Sequence, residues 1–146
     1  MKIILSSNSP RRKELLAGLG VDFEVRVLKG VDERYPDDIP LNEVPLYIAI
    51  EKASAYTVAK DELVVTADTV VIVDNEILGK PKDRAEAYGM LRKISGKTHQ
   101  VVTGVCLTTI DDQRSFTVTT DVEFKELSDN EIYYYIDKYR PFDKAG

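Results

Sequence analysis

Two adjacent arginines, Arg11 and Arg12, directly follow the run Ser6-Ser7-Asn8-Ser9-Pro10, and this order of residue types can bind an anion. Ser9 suits the N-cap of a helix and Pro10 its first position, where the missing N–H of proline costs nothing. A helix start presents unpaired backbone N–H groups and the positive end of the helix dipole, which together attract anions. Arginines in that first turn are locally unfavourable, because the dipole favours cations at the opposite end. A bound anion would offset that cost. A solvated basic turn with an ordinary serine cap accounts for the same residues, and both readings stand at this point.

Asp68 is the second candidate, set in Leu63-Val64-Val65-Thr66-Ala67-Asp68-Thr69-Val70-Val71-Ile72-Val73 with apolar residues on both sides. It belongs either to a turn facing water or to a sheet edge facing a cleft. If desolvated, it needs a metal or a Lys/Arg partner, because an unpaired buried charge costs several kcal/mol. Glu33 in an acidic loop, Lys52 beside Glu51, and Lys80 between Gly79 and Pro81 are each ordinary surface charges when taken alone. Gly96-Lys97-Thr98 imitates the end of a phosphate-binding loop, but Leu91 occupies the place of its first glycine, and the segment follows an expected helix where that motif needs a strand. His99, the only histidine, has no second His or Cys nearby for a ligand set or a triad, and reads as a surface or strand histidine.

The elements that must position these groups follow from pattern. Lys2–Ser6 reads as a short strand. A helix from Pro10 takes its apolar face from Leu15, Leu16 and Leu19, with Gly20 at its end. Phe23–Val27 alternates like a strand, Leu28–Pro40 is a polar loop, and Asn42–Lys60 is a helix with Val44, Ile48 and Ala55 on its apolar face. Leu63–Val73 is strand-like but broken at Thr66–Thr69, and Asp74-Asn75 is a turn. Asp83 and Glu86 form a capping box for a helix through Tyr88, Leu91 and Ile94, which Gly96 closes. Gln100–Ile110 and Arg114–Glu126 form a hairpin, and Ser128 with Glu131 caps a last helix carrying Ile132, Tyr135, Ile136 and Tyr139. Interleaved strands and helices with one long hairpin predict a mixed α/β domain.

The chain has 146 residues, 43% of them hydrophobic and 31% charged, which is the balance of a folded domain and not of a disordered one. Its apolar runs are strand-length, so no membrane span is expected, and the opening run turns polar at Ser6, too soon for a signal peptide. The single cysteine, Cys106, excludes a disulfide framework and a cysteine-rich zinc site, and reads as a buried structural thiol in a cytoplasmic protein. A net charge of −5 argues against nucleic acid or an anionic membrane as partner. A polyphosphate ligand then requires cations gathered locally.

Taken together, Ser7-Asn8-Ser9-Pro10-Arg11-Arg12, Val31-Asp32-Glu33, Glu51-Lys52-Ala53, Ala67-Asp68-Thr69, Gly79-Lys80-Pro81, Leu91-Arg92-Lys93-Ile94-Ser95-Gly96 and Asp143-Lys144-Ala145-Gly146 resemble the Maf family in order and spacing. The resemblance runs from the first strand to the last residue and implies one Maf-like domain over residues 1–146. It implies an elongated mixed sheet with flanking helices around a central cleft, like that of inosine triphosphate pyrophosphatases. The implied reaction cleaves dTTP or UTP between the α and β phosphates, giving the monophosphate and pyrophosphate. A divalent cation, Mg²⁺ or Mn²⁺, and a homodimer are implied with it.

Carried over by position, Ser9 and Arg12 grip phosphate oxygens, with Lys52 and Lys80 reaching across the cleft. Glu33 and Asp68 face the metal, and Asp68 also activates the attacking water. Arg11 and Thr69 stand where the family separates its pyrimidine branch from branches acting on modified purines. In the family, Asp-Lys-Ala-Gly continues into Ala-Tyr-Gly-Ile-Gln and a strand-rich end, so truncation after Gly146 is expected. Two other functions compete with the enzyme: a nucleotide-sensing module linked to septum formation, binding without turnover, and a plain anion-binding structural domain. The paired carboxylates favour catalysis, since a sensor needs only the cations.

Overall fold

The opening apolar run forms β1 (Lys2–Leu5), with Ile4 and Leu5 buried. This computed structural model describes residues 1–7, 9–28, 34–79, 81 and 83–139, without the side chains of Arg11 and Tyr139. Ser9 caps α1 (Pro10–Gly18), its hydroxyl accepting from the Arg12 amide at 3.4 Å. Gly20 has a φ of +72°, the left-handed geometry that a glycine after a helix adopts without strain. Leu15 and Leu19 do not form the buried face expected of them: they are 63% and 73% exposed. The inward stripe is rotated to Arg12 and Leu16, which are half-buried and one helical turn apart.

β2 (Phe23–Val25) pairs in parallel with β1, placing Ile3 opposite Phe23. A 3-10 turn at Leu41–Glu43 leads into α2 (Val44–Ser54), shorter than the helix expected to reach Lys60. The last turn closes when the amides of Ala55 and Tyr56 donate to the carbonyls of Lys52 and Ala53, each at 3.1 Å. The Tyr56 hydroxyl then donates to the Arg26 carbonyl at 2.8 Å, holding the chain away from the helix path. Val44, Ile48, Ala49 and Ala53 are buried, while Ala55, beyond the helix end, is exposed.

β3 (Glu62–Val73) is continuous through the polar stretch expected to break it. Thr66 is accommodated because its buried hydroxyl donates to the Ala49 carbonyl at 2.7 Å, so no polar group is stranded in the strand. β1 and β3 are parallel, with Ile4 opposite Val64, and β4 (Glu76–Leu78) folds back antiparallel on β3. Asp74 and Asn75 make that turn with φ of 50° and 63°, the two positive values of a tight hairpin. α3 (Arg84–Ile94) opens with the Asp83 carboxylate accepting from the Glu86 amide at 2.8 Å. β5 (Thr98–Thr108), β6 (Gln113–Glu123) and α4 (Asp129–Tyr139) complete the chain. Ser128 and Glu131 cap α4 reciprocally, at 3.2 and 3.1 Å.

The strands pair in the order β2-β1-β3-β5-β6, with β4 beside β3, a mixed sheet as the interleaved pattern predicts. The chain divides into two compact units, one of Met1–Asp68 and Thr103–Thr117, the other of Thr69–Val102 and Val118–Gly146. In the first, α2 lies directly on β5. A Cβ added at Gly104 would fall 2.4 Å from the Leu46 amide nitrogen, so only glycine admits that approach. Cys106 is buried there against Ala49 and Ala53, as a structural thiol should be. In the second unit Val71, Val73, Leu78, Ala87, Leu91, Ile94, Ile132 and Ile136 form the core, with α3 and α4 both contributing to it.

Candidate active site

The site is built where the end of β1, the start of α1, the last turn of α2 and the middle of β3 meet, all within the first unit. The Ser7 hydroxyl, just past β1, accepts from the Ser9 amide at 3.1 Å and from Arg12 Nη1 at 3.3 Å. Arg12 Nη1 also donates to the Ala67 carbonyl at 3.4 Å. From the opposite element, Lys52 Nζ donates to the same carbonyl at 3.3 Å and pairs with Asp68 Oδ1 at 3.5 Å. Two cations therefore converge on one backbone oxygen, with a carboxylate beside them.

Partial burial makes this cluster consequential. The side chains of Lys52 and Asp68 are only 20% and 18% exposed, so their pairing is screened far less than a surface ion pair. Burial lowers the Arg12 pKa from its ordinary value, and the negative charge of Asp68 opposes that shift. Arg12 is thus a guanidinium with part of its hydration removed, and a full anion would replace that hydration better than the Ala67 carbonyl does. Charge-assisted hydrogen bonds are roughly twice as strong as neutral ones.

Of the residues picked out by sequence, Ser9 is found at the helix cap, and Arg12, Lys52 and Asp68 come together. The alternative of a turn residue fails for Asp68, which sits inside β3 paired to Lys52. Arg11 lies in the first turn of α1 with its side chain outside the described residues, and Thr69 follows Asp68 on β3. Glu33 and Lys80 lie outside the described residues. His99 proves to be a buried strand histidine, 4% exposed, edge-on to Phe124 at 5.1 Å and remote in sequence from the site residues.

Sequence reasoning passed over three groups. Ser7 was visible only as a motif letter, although a hydroxyl between a strand end and a helix cap is well placed to accept hydrogen bonds. The Ala67 carbonyl has no residue-type signal at all. Thr66 looked like part of a strand break, and its contact with Ala49 follows only from the packing of α2 on the sheet.

Residues 2–146 match the family described as Maf-like protein. Curated relatives named dTTP/UTP pyrophosphatase include one from Phocaeicola vulgatus, 60% identical over 147 residues, an alignment covering 99% of this chain and 76% of that protein. Those from Bacteroides thetaiotaomicron and Flavobacterium psychrophilum are 59% and 48% identical, again over 99% of this chain and over 76% and 75% of their own lengths. Among solved structures, the Ham1 protein of Staphylococcus aureus superposes with a TM-score of 0.52 at 16% identity, covering 84% of this chain and 71% of that one. A Ham1 protein from Coxiella burnetii gives 0.50 at 15% identity, over 84% and 72%. At such identities the likeness is one of fold alone, and it agrees with the expected inosine triphosphate pyrophosphatase-like sheet. By the family match and the level of identity to these relatives, this chain belongs to the Maf family.

Proposed function

We propose that the chain hydrolyses the α–β phosphoanhydride of dTTP or UTP, releasing the nucleoside monophosphate and pyrophosphate. The observation that carries this reading is the convergence of Arg12 and Lys52 on the Ala67 carbonyl beside Asp68. Phosphoryl transfer is mainly positioning and charge neutralisation, and these two cations leave a neutral carbonyl for phosphate oxygens when the nucleotide enters. The α1 N-terminus with its Ser9 cap adds backbone N–H groups to the same task. Asp68 is the group beside these cations able to accept a proton, which makes it the base for the attacking water.

A divalent cation, Mg²⁺ or Mn²⁺, completes this reading, with Asp68 and Glu33 as its carboxylate ligands. The hard oxygens of Asp68 fit such an ion, which ordinarily needs only one or two carboxylates because substrate phosphates and waters supply the rest. When bound, the ion would neutralise phosphate charge and make a water more acidic. Lys80 belongs to the phosphate-binding set, and Arg11 and Thr69 select the base. The names of the relatives, dTTP/UTP pyrophosphatases, support the pyrimidine choice. Cytoplasmic residence and a homodimer go with the same reading.

Chromatography of products from a nucleotide panel with Mg²⁺ tests it. Monophosphate and pyrophosphate from dTTP and UTP are expected. Diphosphate and free phosphate would overturn the reaction class, and binding without release would leave a sensor.

A further inference from the structure

Lys52 can meet both Ala67 and Asp68 only if α2 stands at a fixed height over β3, and Thr66 bonds α2 to that strand. Thr66 is fully buried and lies two residues before Asp68 on β3. Its hydroxyl donates to the Ala49 carbonyl of α2 at 2.7 Å, with the Cys106 carbonyl of β5 at 3.5 Å. Ala49 is one helical turn before Lys52. One short hydrogen bond thus ties the backbone beneath Lys52 to the backbone beside Asp68.

A buried hydroxyl left without a partner is costly, and of the two carbonyls within reach Ala49 is the closer once α2 packs on the sheet. A helix carbonyl has a second lone pair to accept it. Gly104 makes the contact strict one turn earlier in the helix. With a Cβ there, the Leu46 Cα would be met at 2.5 Å and the Pro45 carbonyl carbon at the same distance. At both points, one turn apart, α2 therefore meets the sheet through its own backbone, where side-chain rotamers cannot absorb a shift.

We propose that Thr66 is a positioning residue for this reaction, its hydroxyl setting α2 on β3 so that Lys52 meets both Ala67 and Asp68. This role rests on the reading of Lys52 and Asp68 as working groups. The hydroxyl contributes through geometry and does not touch the reacting atoms. Misplacement by about 1 Å can cost on the order of 10²-fold in rate, so a modest tilt of α2 suffices.

The experiment compares Thr66→Val, which removes the hydroxyl and nearly keeps the shape, with Thr66→Ser, which keeps the hydroxyl and loses a methyl. Steady-state kinetics with dTTP and Mg²⁺ are measured alongside melting curves, with Lys52→Met and Asp68→Asn as references. Expected is a roughly tenfold or larger fall in kcat for Thr66→Val, from the lost alignment, with restoration to near wild type in Thr66→Ser. A purely structural role gives losses of melting temperature in both variants and no split between them in kcat. A folded Thr66→Val with wild-type kcat, or a Thr66→Ser as slow as Thr66→Val, overturns the proposal. If Thr66→Val does not fold, Thr66→Cys, with similar volume and a weak donor, takes its place; its kcat should lie clearly below that of Thr66→Ser, and an equal kcat overturns the proposal. Wild-type turnover in the two reference variants would instead sink the reading of the site, whatever Thr66 does.

Discussion

Asp68 pairs with the ammonium of Lys52 at 3.5 Å and lies in the field of the half-buried Arg12. Asp68→Asn keeps volume and hydrogen-bonding capacity but cannot accept a proton from water at neutral pH, and it is a poorer ligand for Mg²⁺. A general base is typically worth about 10²–10⁴-fold, so kcat should fall by at least ~100-fold while nucleotide Kd changes less than about tenfold. Stopped-assay kinetics and calorimetry read the two quantities separately. Retention of more than about a tenth of wild-type kcat, well above the loss of a general base, would move the role to Glu33. Arg11 and Thr69 call for a different measurement, because selectivity arises when the wrong base leaves polar groups unpaired. Replacing both should lower kcat/KM for dTTP and UTP more than for purine nucleotides, and an unchanged ratio would remove them from the specificity set.

The helices of the second unit separate surface contacts from core contacts. Arg84 forks onto Asp137 at 3.0 and 3.1 Å and lies 4.3 Å over the Tyr133 ring, which stacks on Tyr88 at 5.0 Å. Arg92 pairs with Asp129 and donates to the Leu127 carbonyl at 3.0 Å. These charged groups are exposed, whereas Ile132 and Ile136 beneath them are 0% and 1% exposed. Urea titration should show Ile132→Ala costing about 2–5 kcal/mol, with Arg84→Ala shifting the midpoint far less, since exposed ion pairs contribute little. The reverse ranking would mean that the surface clasp holds α3 and α4 together.

His99 makes the same unit sensitive to acid. Its Nδ1 is buried with no partner among the described residues, and burial lowers its pKa. The unfolded chain therefore takes up this proton near the ordinary histidine value of about 6.5 while the folded chain resists it, so stability falls as pH drops below that value. Melting temperature should decline between about pH 7.5 and 5.5, a window that brackets the ordinary histidine value, and His99→Leu should flatten the decline. An equal slope in the variant would place the sensitivity elsewhere. Glu131 acts at lower pH. Chiefly through Lys125, and also through Ser128, its pKa is held at about 2, so its contribution is complete above the usual carboxylate value and lost as pH falls towards 2.

For the whole molecule, a net charge of −5 opposes a nucleotide at long range, and the site must overcome that field locally with Arg12 and Lys52. No described helix is long and apolar enough to cross a membrane. The divalent cation of the proposed reaction takes most of its ligands from substrate phosphates and water, so it is expected to act with the nucleotide. EDTA should abolish pyrophosphate release and leave the melting curve of the nucleotide-free protein where it was. A large drop in melting temperature on chelation would point to a structural metal.

What the sequence by itself determined was whatever acts over a few residues. The Ser9 cap, the Asp83 capping interaction, the Ser128–Glu131 box and the Asp74-Asn75 turn were all legible, because each is a hydrogen bond or a backbone preference between near neighbours. Beyond the resemblance, which already set Arg12, Lys52 and Asp68 around one cleft, only tertiary structure decided which charges meet. Arg12 reaches Ala67 across 55 residues of chain, and nothing local distinguishes Lys52 from the other lysines until α2 is laid on β3. The same packing let β3 run unbroken past Thr66, and tertiary placement likewise left Leu15 and Leu19 exposed and His99 buried. The physical reason is common to all of these. Periodicity records how apolar a face is, but the rotation and height of a helix on its sheet are set by close backbone contacts such as those at Gly104 and Thr66, which join residues far apart in sequence.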